Sequence, residues 1–377
     1  MNAAALIFSN IHDASLPELT EMRTMASVPF GCRYRLIDFP LSNLVNADIT
    51  NVGIITHYNY QSLIDHIGTG KDWDLARRSG GIRILSPFIT AFENSASGKV
   101  YTTRLEALMG TTNFLSRATE EYIVLSDSDI VCNLDWNDVM KQHLRTEADI
   151  TIVTVKANSE REELTNHIHV IRADDEGRII DCSEYDGEKG NINISTNFML
   201  MKRTYLLGIV RDAMAHGDSH FFRDVIYRDR LSKRFFAYRF EGKYCMVSSM
   251  ASYFRANMNL LDPEFRKGIF EVGNRPIYTK VRNSAPTHYM EGSKVTNSYI
   301  ADGCVIEGTV ENSIIFRGCK VGKGTTIRNS ILMQDTYTGA DVLLNCVITD
   351  KNAVIKDGRM LSGCEERPYF LPKGTMV

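Results

Sequence analysis

The chain has 377 residues, of which 44% are hydrophobic and 24% charged, and its formal net charge is −3 at pH 7. This length exceeds one ordinary hydrophobic core and predicts two domains, and the charge balance gives no support for nucleic-acid binding, which favours a basic face. No apolar run approaches the roughly 18 residues of a membrane-spanning helix and the N-terminus lacks a signal-peptide pattern, so we expect a cytoplasmic protein without a membrane partner.

The N-terminal segment begins with an apolar run, Ala3–Phe8, that predicts a buried strand, and a loop follows over Ser9–Ser15. In an α/β protein, such a loop lies at the carboxyl edge of the sheet, where ligands bind. Loops that hold phosphate carry glycines, because bare backbone N–H groups can then close on the anion. This loop has no glycine, and it contains Asp13, whose carboxylate would repel a phosphate. It has the position of a nucleotide-binding loop without the usual chemistry.

The segments that follow alternate between strand and helix patterns, as in an α/β fold. Apolar, β-branched runs predict strands, and apolar residues at helical spacing predict helices. The predicted strands are Ile49–Thr56, Gly81–Leu85, Tyr122–Asp129, Asp149–Lys156, His167–Ile171 and Phe235–Phe240, and the predicted helices include Tyr60–Ile67 and the segment around Ser252–Met258.

A carboxylate stands at the end of the strand predicted over Tyr122–Asp129. Carboxylates in this position often hold a divalent metal beside phosphates. They also serve as helix caps or turn residues, and the residues alone leave both interpretations of Asp129 open.

The pattern changes in the last quarter of the chain, where apolar residues recur with a period of six between glycines and Asn-Ser pairs. This period predicts a left-handed parallel β-helix, with three hexads in each coil. A change of phase indicates a longer turn near Thr336–Ala340. No histidine occurs from Gly292 onward, which argues against a hexapeptide acyltransferase and favours a scaffold for subunit association. The periodic residues are Ile315, Val321, Ile327 and Met333, then Val342, Ile348 and Val354.

The segment Val28–Asn43 contains the pattern VPFG-x-x-YR-x-IDF-x-LSN. This pattern resembles the bacterial glucose-1-phosphate adenylyltransferases (ADP-glucose pyrophosphorylases) of glycogen synthesis, and the resemblance extends from Ala4 to about Gly358. It is similar in particular to their GlgD-type subunits, paralogues that partner the catalytic GlgC-type subunits.

The resemblance and the six-residue repeat together predict the architecture. We expect an α/β, Rossmann-like nucleotidyltransferase domain with a mixed, mostly parallel sheet over residues 1–260. A linker over residues 261–289 and a left-handed parallel β-helix domain over residues 290–377 follow.

The family's first motif reads GG-x-G-x-RL-x-x-LT-x-x-RAKPAVPFGG, and this chain departs from it where the chemistry would be. The three loop glycines fall on Asn10, Ile11 and Asp13, the loop arginine on Ser15, and the motif lysine on Met25. The resemblance therefore implies that the cations and glycines of the phosphate-binding loop are missing.

The later motifs are also incomplete. The catalytic Asp that binds Mg²⁺ in the family falls on Asp129, which is kept, and the second metal carboxylate falls on Met246, which cannot bind Mg²⁺. The lysine that binds the sugar phosphate falls on Tyr185, beside the retained Glu184. The base-seating motif GTADA falls on 103–107, with its glycine replaced.

Attack of glucose 1-phosphate on ATP concentrates negative charge, which the protein must balance with Mg²⁺, Lys, Arg and oriented amides. Loss of one such group typically costs about 3 kcal/mol of transition-state stabilisation. The sequence therefore predicts a non-catalytic, regulatory subunit that needs no cofactor of its own. The resemblance implies that it forms a heterotetramer with a GlgC-type subunit, whose reaction uses Mg²⁺.

Two alternatives stay open. In the first alternative, the chain is a slow or divergent adenylyltransferase in its own right, with Asp129 holding Mg²⁺. In the second, it is a module that binds a sugar phosphate or a nucleotide. The resemblance also implies a site for a phosphorylated metabolite effector at Arg33, with Arg35 close by, because paired arginines suit phosphate. An arginine here also suits a purely structural bridge between the two domains.

Overall fold

The computed structural model describes residues 1–86, 101–160, 162–165 and 167–377. Apolar and β-branched runs in the first 250 residues form short strands, most of them in one central sheet. These strands are β1 (Ala3–Phe8), β2 (Pro29–Phe30), β3 (Tyr34–Arg35), β4 (Asn51–Ile55), β5 (Gly81–Leu85), β6 (Tyr122–Asp127), β7 (Ile130–Cys132), β8 (Ile150–Asn158), β9 (His169–Ala173), β10 (Ile179–Glu184), β11 (Asn191–Lys202), β12 (Phe235–Arg239) and β13 (Tyr244–Met246).

Helices cover both faces of this sheet, and none of the described helices combines the length and apolarity needed to cross a membrane. The α-helices are α1 (Pro17–Thr20), α2 (Asp38–Val45), α3 (Gln61–Ile67), α4 (Arg104–Met109), α5 (Thr112–Arg117), α6 (Trp136–Arg145), α7 (Arg203–His216), α8 (Met250–Met258) and α9 (Pro263–Phe270). Short 3₁₀ segments lie at Asp13–Ser15, Met25–Ser27, Lys71–Trp73 and Asn259–Leu261, and a π-helix lies at Phe222–Tyr227.

The central sheet has the order β10-β9-β11-β6-β1-β4-β5, with β8 between β11 and β12. Strands β5, β4, β1 and β6 are parallel, and β11 is antiparallel to β6. The predicted mixed sheet is confirmed, with parallel strands in the half that carries the candidate site. Phe8 pairs with Asp127, so the loop after β1 lies beside the acidic residues after β6.

The segment 261–289, predicted as a linker, contains the helix α9, which begins directly after the preceding helical turn ends at Leu261. Asp262 caps α9 by accepting hydrogen bonds from the backbone N–H groups of Glu264 and Phe265, and Pro263 is the first helical residue. An Asp cap followed by Pro is a helix-start signal, because Pro has the helical φ and no N–H to leave unsatisfied. Ile269 of this helix is fully buried.

The C-terminal region is a left-handed parallel β-helix, as predicted. Three parallel sheets, each with five strands among the described residues, stack along its axis. Its strands are β14 (His288–Tyr289), β15 (Lys294–Thr296), β16 (Tyr299–Ile300), β17 (Val305–Ile306), β18 (Thr309–Glu311), β19 (Ile314–Ile315), β20 (Lys320–Val321), β21 (Thr326–Arg328), β22 (Ile331–Leu332), β23 (Tyr337–Thr338), β24 (Leu343–Asn345), β25 (Val347–Thr349), β26 (Val354–Ile355), β27 (Met360–Ser362) and β28 (Tyr369–Leu371).

The six-residue period is kept only in part. Val321 and Ile327 line the interior of the β-helix, but Leu332 takes the next interior place, and Met333 packs outward against the N-terminal domain. Val321 pairs with Thr338, 17 residues later, which is one residue fewer than three full hexads contain. The pairings of Thr309 with Thr326 and of Leu343 with Met360 also span 17 residues, so the change of phase comes from coils one residue short of three hexads rather than from the longer turn that the pattern predicts.

One face of the β-helix packs on the N-terminal domain. Leu16, Phe30 and Tyr253 share a buried apolar cluster with Ile314 and Ile331 of the β-helix. Burial of apolar surface is the main source of stabilisation at such a junction. The two domains are therefore joined by a continuous core as well as by the connecting chain.

Candidate functional site

Four charged side chains meet at the carboxyl edge of the sheet, and we call them the carboxylate cluster: His12, Arg104, Asp127 and Asp129. His12 Nε2 lies 2.6 Å from Asp127 Oδ2 and 3.6 Å from Asp129 Oδ2. The Arg104 guanidinium contacts the same Asp127 oxygen. The cluster joins the loop after β1, the first turn of α4 and the end of β6.

The start of helix α4 directs Arg104 into the cluster. Thr103 caps the helix, since its Oγ1 accepts the N–H of Glu106 while the Glu106 carboxylate accepts the N–H of Thr103. This reciprocal capping satisfies two N–H groups that have no partner within the helix. The Arg104 guanidinium then lies 5.3 Å from the centre of the Phe8 ring. The segment 103–107, which matches the family's GTADA motif, thus forms the capped first turn of α4, and its Arg104 carries a positive charge.

The charges of the cluster stabilise one another. Burial opposes the charge of His12, but the carboxylates of Asp129 and Asp127 outweigh it and raise the pKa of His12 to about 9. Burial likewise opposes ionisation of Asp127, and Arg104 and His12 hold its pKa below the usual range. Burial raises the pKa of Asp129 to about 6. Near neutral pH, two cationic groups therefore face two carboxylates.

Several polar atoms at the cluster have no hydrogen-bond partner among the described residues. They are buried Asp127 Oδ1, Asp129 Oδ1 and Arg104 Nε. Buried polar groups are normally satisfied by protein or by ordered water. The outer oxygens of both carboxylates therefore have the capacity to accept a ligand or water.

The fold also keeps the place of the second metal residue. Strand β13 pairs with β7 so that Met246 lies opposite Ile130, and the N–H of Val247 donates to the carbonyl oxygen of Asp129 at 2.9 Å. The residue at this place is Met246, whose thioether is a poor ligand for a hard cation. The position beside Asp129 is retained and the carboxylate is missing.

The residues present do not fit Mg²⁺. The ligand atoms of His12, Asp127 and Asp129 lie within 4.8 Å of one another. Mg²⁺ requires near-octahedral oxygen ligands, whereas one of these groups is an imidazole and another carboxylate oxygen already contacts Arg104. Because His12 and Arg104 already balance the two carboxylates, the Mg²⁺ role of Asp129, predicted on condition of an active site, is opposed by the positive charges beside it.

Met25, which stands at the position of the family's motif lysine, lies in the hydrophobic core. Met25 is fully buried and packs in the apolar cluster with Leu16 and Val28. Its N–H donates to Asp13 Oδ1 at 2.7 Å, and burial raises the pKa of Asp13 to about 7. Ser15 ends the preceding 3₁₀ turn and is half-buried. The phosphate-binding loop has become a packed turn held by its own carboxyl group.

A cavity of about 520 Å³ opens on the other side of Arg104. Glu184 lies on its wall, whereas the Tyr185 hydroxyl donates to the carbonyl oxygen of Glu188 at 3.1 Å. The structure therefore brings the retained carboxylate to the cavity but not its neighbour. The other main lining residues are His169, Phe222, Arg223 and Tyr227, and the rings of the first two stack with centroids 3.8 Å apart.

The predicted effector residues Arg33 and Arg35 line a small pocket of about 40 Å³ at the junction of the two domains. Arg33 is exposed, and Arg35 is buried, with a guanidinium nitrogen that donates to Ser62 Oγ at 2.8 Å. The pocket also receives four cations from the connecting segment and the β-helix: Lys280, Arg282, Arg317 and Lys351.

The environment of this pocket is strongly positive. Burial, followed by repulsion from Arg35 and Arg23, lowers the pKa of Lys351 to about 7. The repulsion among these cations, which is the second cause of the lowered pKa, would be relieved by a bound anion. Sequence reasoning found two of the six cations, because the others are distant in the chain and belong to no motif.

Sequence reasoning also missed His12 and Arg104. The only available signals were a histidine in the loop after the first strand and an arginine at the threonine of the GTADA motif. A further glycine of the family, in its motif S-x-G-[IV], falls on Asn197 by the same resemblance. Asn197 has a left-handed φ of 60°, which Asn tolerates better than most residues.

Comparisons with known proteins agree with this geometry. Residues 15–220 match the nucleotidyl transferase family model, and residues 284–366 match the GlmU-like C-terminal hexapeptide model. The chain is 34% identical to the glycogen biosynthesis protein GlgD of Bacillus subtilis, over 96% of this chain and 93% of that protein. It is 31% identical to a glucose-1-phosphate adenylyltransferase of Bacillus cereus, over 95% of this chain and 94% of that protein.

Proposed function

The chain belongs to the glucose-1-phosphate adenylyltransferase family of bacterial glycogen biosynthesis, and we propose that it is a non-catalytic, regulatory subunit. In this proposal, it assembles with a GlgC-type catalytic subunit as a heterotetramer. It modulates the partner's Mg²⁺-dependent synthesis of ADP-glucose and pyrophosphate from ATP and glucose 1-phosphate.

The observation that carries this proposal is the placement of two methionines. Met25 stands at the position of the motif lysine and is fully buried, so no charge reaches the loop from there. Met246 stands beside Asp129, where a second metal carboxylate would lie. Loss of one such electrostatic group costs about 3 kcal/mol of transition-state stabilisation, or roughly a hundredfold or more in rate.

The loop and the sugar-phosphate side support the same proposal. Asp13 occupies a loop-glycine position and places a carboxyl group where phosphates would approach. Tyr185 supplies no positive charge for a sugar phosphate, and its hydroxyl is engaged with Glu188. These losses are not additive, but they all act on the same charge requirement.

One observation favours binding without chemistry as a second candidate. The cavity of about 520 Å³ has Arg104 and Arg223 on its wall, with Glu184 between the aromatic groups and solvent. A sugar-phosphate or nucleotide-binding module would use such a cavity. Calorimetry with glucose 1-phosphate and with ATP distinguishes the two candidates, since a binding module requires a heat of binding in the absence of any partner.

The pocket at the domain junction supports a regulatory role. Arg33 and Arg35 with the four further cations form a site suited to a phosphorylated metabolite effector. The pocket borders both domains, and these share a continuous core, so an anion bound there acts on the contact between them. This is the route by which we propose that an effector signal reaches the assembled enzyme.

The proposal is tested first with this chain alone. We expect no ADP-glucose from ATP and glucose 1-phosphate with Mg²⁺, and we expect Asp129→Ala to leave this result unchanged. Size-exclusion chromatography with a GlgC-type subunit should give a mixed oligomer that neither chain forms alone. Appreciable turnover that Asp129→Ala abolishes would contradict the proposal and favour the divergent adenylyltransferase.

A further inference from the structure

We propose that His12 and Arg104 are resident counter-ions that replace a divalent cation at Asp127 and Asp129. In this view, the chain keeps the two carboxylates assembled without any metal. The inference concerns the electrostatics of this chain alone and does not depend on a partner subunit.

The carboxylates of Asp127 and Asp129 require a positive charge nearby. Asp127 is fully buried and the side chain of Asp129 is 7% exposed, so solvent screens their repulsion poorly. Two carboxylates this close need a counter-charge, or one of them takes up a proton. Metal ions are one source of that charge, and cationic side chains are another.

Arg104 supplies a permanent positive charge beside Asp127. Its side chain is 8% exposed, and it contacts Asp127 Oδ2 directly. A guanidinium stays protonated in proteins, so its charge does not vary over the physiological range. The capping of α4 and the neighbouring Phe8 ring hold it in place. A divalent cation at Asp127 would therefore meet a fixed positive charge.

His12 supplies the second cationic group beside the two carboxylates. Its Nε2 lies between the two carboxylates, within hydrogen-bond distance of Asp127 and 3.6 Å from Asp129. The cluster thus has two nitrogen donors for two carboxylates, and a metal ion would add charge to an already balanced set. The unpartnered Asp127 Oδ1 and Asp129 Oδ1 show where oxygen ligands would remain once Arg104 is removed.

The test measures metal binding directly, with Mn²⁺ as the probe and the electron paramagnetic resonance signal of free Mn²⁺ as the readout. We expect the full chain to leave the free Mn²⁺ signal unchanged. Arg104→Thr, which restores the residue of the GTADA motif, should lower the free Mn²⁺ signal, with an affinity roughly tenfold or more above the detection limit that the unmodified chain fails to reach, because a nearby positive charge is gone. Adding Asp129→Asn to Arg104→Thr should remove this binding.

Arg223→Ala is the matched control, because Arg223 lines the same cavity but pairs with Asp224 rather than with the cluster. We expect no Mn²⁺ binding in this variant. If Arg104→Thr does not fold, the unmodified chain still decides the question, since its melting temperature should be the same in Mn²⁺, in Zn²⁺ and in chelator. Stoichiometric Mn²⁺ or Zn²⁺ binding by the unmodified chain that His12→Asn abolishes would overturn the proposal and make His12 a metal ligand.

Discussion

One guanidinium nitrogen of Arg23, Nη2, in the N-terminal domain donates to both carboxylate oxygens of Asp350 in the β-helix, at 2.9 and 2.8 Å. Both side chains are almost completely buried. The pair adjoins the cationic pocket, because Asp350 precedes Lys351 in the chain. One contact therefore links the relative position of the domains to the surroundings of the proposed effector site.

We expect Arg23→Ala to destabilise the chain by about 3–5 kcal/mol, because it leaves a buried, uncompensated carboxylate at Asp350. Urea unfolding measures this change. Arg328→Ala is the matched control: its pair with Glu311 is exposed, so we expect a loss of about 0–1 kcal/mol. Equal losses in the two variants would show that the buried pair does not stabilise the junction.

The stability of the chain should depend on pH through Asp13. Burial raises the pKa of this carboxyl group from 3.8 to about 7, so the folded state holds its proton more tightly than the unfolded state. The stabilisation from the protonated group is complete below the lower value and is lost as pH rises through the upper one.

Asp13→Asn imitates the protonated group and removes this dependence. We expect the unfolding free energy of the unmodified chain, minus that of Asp13→Asn, to fall as pH rises from about 4 to about 7. Denaturant unfolding at a series of pH values gives this difference. A difference that stays flat or rises over the window would mean that Asp13 is not constrained as the structure indicates.

Asn197 should be replaceable by glycine but not by alanine. Its φ of 60° is unfavourable for most residues with a Cβ, and Asn tolerates this conformation better than they do. We expect Asn197→Ala to lose about 1–2 kcal/mol of unfolding free energy and Asn197→Gly to lose less. Thermal unfolding of the two variants checks this order, and the reverse order would refute it.

Anion binding at the junction pocket should weaken as pH rises. Lys351, whose pKa lies at about 7, gains its charge below that value and strengthens attraction for a phosphate there. We expect inorganic sulfate, which stays a dianion throughout this range, to bind more tightly below pH 7 than above it in calorimetric titrations, and Lys351→Met to bind it weakly at every pH. Binding that is independent of pH in the unmodified chain would contradict this account.

The two predicted effector arginines should differ in their structural cost. Arg33 is exposed, so Arg33→Ala should weaken phosphate binding while its unfolding free energy changes by less than about 0.5 kcal/mol. Arg35 is buried and donates to Ser62, so Arg35→Ala should weaken binding and also destabilise the chain. Unchanged phosphate affinity in Arg33→Ala would remove Arg33 from the proposed site.

Local patterns predicted the elements of this fold well where the pattern and the packing agree. The run Gly81–Leu85 is a strand with the predicted bounds, and the apolar run at the N-terminus is the buried strand β1. The helix at Pro263–Phe270 was missed because Pro276 and Pro286, later in the segment, favoured a linker interpretation. The Asp-Pro pair at Asp262 is an equally local signal, and it indicates a helix start.

The sequence predicted where the candidate site lies, but not which side chains contact one another there. Family motifs placed Asp129 and Met246 side by side, and the pairing of β7 with β13 agrees with this. The contacts of Arg104 and His12 with Asp127 join residues that are distant in the chain, and no local pattern carries that information. Charge balance within a cluster becomes visible only after folding brings its members together.

The most direct test of the central claim is the rate of ADP-glucose formation by a GlgC-type partner, measured while this chain is added at increasing molar ratio. The account predicts no product from this chain alone, and a change in the partner's rate or substrate affinity that saturates as the mixed oligomer forms. A partner whose rate, affinity and effector response stay constant throughout the titration would contradict a regulatory role.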